Sequence, residues 1–163
     1  MEYQQRLTNR LHDARNFSDR LLEDFTQPND WVYQMHENGN HALWFVGHMG
    51  VTDNFMISLI DPEKVSIPSG YAELFGIGSK PASDLQSYPD VDIIRGFMRQ
   101  RRETLLALLA ELDDPQLGNP TPEGSPEFLP DYASVFETAI WHEGLHSGQV
   151  TMLRRSLGFD PVI

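Results

Sequence analysis

Hydrophobic residues recur at three- and four-residue steps in four long stretches, which is the spacing of one helix face. The first stretch, residues 3–25, runs through Tyr3, Leu7, Leu11, Ala14, Leu21, Leu22 and Phe25, and Pro28 is expected to end it. The second, about 40–60, is apolar over most of its surface: Leu43, Trp44, Gly47, His48, Val51, Phe55, Ile57, Leu59 and Ile60. Asn40 is its expected N-cap and Asp61-Pro62 its stop. The third opens at Ser87-Tyr88-Pro89-Asp90, an S-x-x-D capping box with proline in the first turn. It continues through Val91, Ile94, Met98, Leu105, Leu108, Leu109 and Leu112 to about residue 113. The fourth spans about 131–157, with Gly158 and then Pro161 as the stop.

No strand pattern and no internal repeat interrupts these helices. Four amphipathic helices of similar length pack best as a bundle, so the expected fold is all-α, a four-helix bundle. The connection after the first helix, QPNDWVYQMHENGN, is rich in turn residues. Residues 61–86 and DDPQLGNPTPEGSPEFLP form long loops after helices 2 and 3, and these permit a topology other than up-down-up-down. Tyr71, Leu74, Phe75 and Ile77 of the first long loop are expected to fold over an open end of the core, either as a lid or as a packed loop.

Composition narrows the picture. The 163 residues suit a single domain, 1–163, with one core. No apolar run approaches a membrane span, and mean hydropathy is -0.40. The opening MEYQQRLTNRLHDARNF has no apolar signal core, so a cytoplasmic protein is expected. A net charge of -12 argues against nucleic acid as a partner. The basic group Arg99, Arg101 and Arg102 reads as a solvated face or a local salt-bridge set. With no cysteine in the chain, disulfides, a cysteine nucleophile and thiolate ligands are excluded. Metal ligands are left to His, Asp and Glu.

The candidate chemistry lies in WHEGLHSGQVTMLRR, residues 141–155. His142 and His146 are one helical turn apart and project from one face, with Gln149 further along the same stripe. Two histidines at i and i+4 supply two corners of a metal site. His48 lies mid-helix in ALWFVGHMGVTDNF, where an imidazole needs a hydrogen-bond partner or a metal. With His142 and His146 it makes a tripod that leaves positions open for water or substrate. His12, His36 and His41 read as surface or loop residues. Trp44 shares the face of His48 and reads first as core packing, with the wall of a pocket as the alternative. Asp53 is turned about 140° from His48 and carries no assigned role.

His142-Glu143-x-x-His146 also spells the zinc-protease signature. Its usual downstream third ligand has no counterpart here: none of the residues after His146 is His or Glu. The His142-Glu143 pair is accordingly read as a coincidence of a short pattern.

HEGLHSGQVTMLRRSLG resembles the C-terminal helix of the DinB/YfiT-like family of four-helix-bundle metalloproteins, where H-x-x-x-H-x-G-Q-x-x-x-x-R is typical. WFVGHMGVTDNFM is similar to that family's second helix, and GYAELFGIGSKP and YPD resemble one of its branches. The resemblance covers nearly the whole chain. It implies that His48, His142 and His146 bind a divalent metal cation, zinc or nickel, and that the protein is a homodimer.

The resemblance further implies a metal-dependent thiol S-transferase, or a related small-molecule transferase, using a metal-activated thiol or water. A small-molecule substrate with a low-molecular-weight thiol as cosubstrate is therefore expected, because the chain has no thiol of its own. Gln149 is the one candidate catalytic group, with a helix-packing amide as its alternative. The competing expectation is a non-catalytic, stress-related metal-binding bundle whose three-histidine site is structural or vestigial.

Overall fold

Each long helix is set by a buried stripe and an identifiable cap. The computed structural model describes residues 2–163, and its helices are α1 (Tyr3–Leu22), α2 (Pro28–Trp31), α3 (Ala42–Ser58), α4 (Tyr71–Phe75), α5 (Val91–Ala110) and α6 (Tyr132–Ser156). Three short 3-10 turns complete the regular structure, and no strand occurs among the described residues. The four long helices are those expected, and the ends differ locally. His41, not Asn40, caps α3: its Nδ1 accepts from the Trp44 N–H at 3.0 Å. The Ser87 capping box does not form; Ser87 closes a 3-10 turn and Asp90 caps α5 through the Asp92 N–H at 2.9 Å. Asp131 caps α6 in a reciprocal box with Ser134. Gly158, at φ 84°, ends α6 in the left-handed region that glycine favours.

Cross-helix contacts give the topology. The α1 N-terminus meets the end of α5, with Gln4 donating to the Leu109 carbonyl, and Tyr3 bonds Glu137 near the start of α6. At the other end of α1, Arg154 of α6 donates to the Leu21 carbonyl. Helices α1 and α6 thus run parallel. On the other side Gly50 packs on Phe97 and Arg101 bonds Asn54, so α3 and α5 also run parallel to each other and opposite to the first pair. The bundle is up-down-down-up, which the long 59–90 connection makes possible.

Helix α3 is the central element: every residue from Ala42 to Gly50 is buried. The apolar core falls into two clusters. One joins Leu21, Leu43, Phe45, Met49, Phe75, Met98 and Val150; the other joins Leu11, Ile57, Leu105, Phe136 and Ala139. On each long helix one charged residue lies between them: Arg15, Asp53, Arg102 and Glu143.

Tyr71 and Phe75 of the long loop are buried as expected, whereas Ile77 is 96% exposed. It follows Gly76, which ends α4 and turns the chain outward.

Candidate metal centre

His48, His142 and His146 converge, each offering a ring nitrogen, and those three atoms lie within 4.8 Å of one another. Helix α3 carries the first and α6 the other two, so the site bridges antiparallel helices. The His48 and His142 Nε2 atoms are 3.2 Å apart. Two nitrogens bound tetrahedrally at about 2.05 Å from one zinc would be about 3.3 Å apart. That pair has the spacing of two ligands on a shared ion.

Hydrogen bonds orient two of the rings. His48 Nδ1–H donates to the Phe75 carbonyl at 2.7 Å, which leaves its Nε2 lone pair free for the centre. His146 Nδ1–H donates to Gln149 Oε1 at 3.0 Å, with the same result. Partners of this kind hold metal-binding histidines in the required tautomer. The loop carrying α4 therefore positions a ring of the site besides covering the core. Gly47 makes this possible. A Cβ there would meet the Phe75 ring at 2.3 Å, so only glycine lets Phe75 sit against α3.

Trp44 stacks on His48, with centroids 4.2 Å apart and planes at 16°, and its Nε1–H donates to Ser79. It is both core packing and a wall of the histidine cluster. Burial pushes the three imidazoles toward the neutral form. His48 falls to about 4 and His142 to about 3, while His146 is lowered as well. Mutual repulsion adds to burial for His48 and His142. Neutral imidazole is the form that binds metal.

Glu143 points away from this cluster. It is fully buried between two arginines, with Oε1 2.7 Å from Arg15 Nε and Oε2 2.7 Å from Arg102. Arg102 also grips Asp53 through two bonds of 2.9 Å, and Arg15 reaches Asp53 at 3.1 Å. Burial works against the Arg102 charge, but Asp53 and Glu143 outweigh it and its pKa is raised. Two arginines and two carboxylates from α1, α3, α5 and α6 thus form one neutral layer. Glu143 is committed to this layer and unavailable as a protease-type base, and Asp53 belongs there too. Of the basic group, Arg102 is buried and ion-paired, Arg101 is buried and bonds the Asn54 side chain and the Lys64 carbonyl, and Arg99 is exposed.

Among the other histidines, His12 and His36 are exposed. His41 is fully buried, capping α3 through Nδ1 and meeting the Ala82 carbonyl and Tyr88 hydroxyl through Nε2. Gln149 is exposed and bonded to His146 and Asn40, on the Nδ1 side of the His146 ring. Nothing in the sequence pattern marked Arg15 or Ser79, and Phe75 was expected to cover the core, not to fix the His48 ring. The signal for Phe75 was Gly47, a helical glycine beside a candidate ligand.

Residues 10–150 match the family model of the DinB superfamily. No curated protein matches the chain.

Proposed function

The chain belongs to the DinB superfamily, and we propose that His48, His142 and His146 hold one divalent metal ion, zinc or nickel, at the centre of a small-molecule transferase. The observation that carries this reading is the convergence of three ring nitrogens, from two helices, within 4.8 Å of one another. Without a metal, the His48 and His142 Nε2 atoms share one hydrogen bond at 3.2 Å, and an ion would replace that proton. Held by three neutral ligands, the ion keeps its full charge and can lower the pKa of a thiol or water that reaches it.

The chain's own residues supply the rest. Phe75 and Gln149 fix two ligand rings, and Trp44 excludes water from one flank of the site. With no cysteine present, the nucleophilic thiol is a low-molecular-weight cosubstrate. The protein acts as a homodimer: Trp141 and Leu145 lie one turn apart on α6, 63% and 49% exposed, and bury on pairing.

One observation favours the alternative, a non-catalytic metal-binding bundle. No free acid or base stands beside the histidines among the described residues, since Glu143 is locked between arginines. The readings separate in an assay of zinc- and nickel-loaded protein with a panel of low-molecular-weight thiols and an activated electrophile. Turnover that His48→Ala abolishes supports the transferase. Metal uptake without turnover for any thiol supports the alternative.

A further inference from the structure

Beside the histidine cluster a cleft of about 440 Å³ opens between the segment after α2 and the second half of α6. Met35, His36, Asn38, Asn40, Gln149 and Met152 line it. The volume falls within the range of about 300–1,000 Å³ typical of small-molecule sites. No Lys, Arg, Asp or Glu contributes to the lining, in a chain of net charge -12. An anion finds no Lys or Arg there, only the His36 imidazole, and an overall field that opposes it. A cation finds no carboxylate. Three carboxamides offer both donors and acceptors, and two thioethers adapt to an apolar segment.

Two of the carboxamides lead to the metal centre. Asn40 Nδ2–H donates to Gln149 Oε1 at 3.2 Å, and His146 Nδ1–H donates to the same oxygen at 3.0 Å. Among the described residues the Gln149 NH₂ group has no protein partner, so its donors are open to a ligand in the cleft.

We infer that the cleft is a binding site for a small uncharged molecule bearing an amide or hydroxyl group beside an apolar portion, and that Gln149 couples its occupancy to the metal centre. The coupling rests on His146 being a metal ligand; the site itself does not. A ligand bonded to Gln149 or Asn40 moves the oxygen that orients the His146 ring, and such outer partners tune metal affinity. The effect is reciprocal, so bound metal changes ligand affinity by the same factor.

The test uses protein labelled with ¹³C at its methionine methyl groups, titrated with butyramide and separately with butyrate. The Met35 and Met152 signals should move saturably with butyramide alone. Asn40→Ala and Gln149→Ala should each weaken binding at least about threefold, the loss of one hydrogen bond. No response to butyramide, or an equal response to butyrate, overturns the site. Repeating the titration on zinc-loaded protein should change the butyramide Kd at least about threefold; an unchanged Kd overturns the coupling. If elemental analysis shows no zinc uptake, the metal reading and the coupling both fail, while the metal-free titration still decides the cleft.

Discussion

Glu143 shows how one side chain can be read for the wrong chemistry. In sequence it completes H-E-x-x-H; in space it neutralises Arg15 and Arg102 at 0% exposure. Removing one member of a buried pair leaves an uncompensated charge, so Glu143→Gln should lower unfolding stability by about 3 kcal/mol or more in urea melts. A change below about 0.5 kcal/mol would contradict the assigned role. The histidines make a second prediction. Burial lowers His41 and His48 to about 4 and His142 to about 3, all below the ordinary 6.5. Between about pH 6.5 and 4 the unfolded chain therefore binds more protons than the fold, and stability falls as pH falls, with little effect above 7. Each fully affected histidine contributes about 1.4 kcal/mol per pH unit in that window. The urea midpoint of metal-free protein should drop from pH 7 to 4.5, and less so in His41→Asn; an unchanged midpoint would refute this. The triad was legible because a polar residue in an apolar helix and an i, i+4 pair are both local signals. The arginine–carboxylate layer was not. Arg15 and Glu143 lie 128 positions apart, and either residue alone reads as surface.

Helix α3 and the α4 loop work as a unit. Gly47 admits the Phe75 ring, and the Phe75 carbonyl fixes His48. In Gly47→Ala the new Cβ collides with ring carbons that have no free space, displacing the loop. Stability should fall by about 1–3 kcal/mol and metal affinity by about tenfold, read by chelator competition. Wild-type affinity in a folded variant would detach the loop from the site. The long helices were readable from periodicity, which burial enforces over many turns. The short α2 and α4 were not. Helices of four and five residues have almost no local stability and persist through tertiary packing of Trp31, Tyr71 and Phe75. The caps slipped by one to three residues because His41 and Asp90 compete with equally plausible neighbours for the same N–H groups.

Across the molecule, the parallel pairs α1–α6 and α3–α5 enclose two apolar clusters split by the ionic layer, with the histidines beside it. Helix count was set by the pattern, whereas direction depends on which ends meet, and loop length alone leaves that open. No helix is long and apolar enough to cross a membrane among the described residues. The proposed homodimer, with Trp141 and Leu145 at its seam, predicts that Trp141→Glu shifts the mass in sedimentation equilibrium from two chains to one. A monomeric wild type would remove the dimer from the proposal. Metal binding to the folded state alone should also raise the melting temperature with metal concentration. The most direct measurement is elemental analysis of protein purified without chelator. About one divalent ion per chain is predicted, lost in folded His48→Ala and His142→Ala. A folded, stable wild-type protein that carries no metal and takes up neither zinc nor nickel would contradict it.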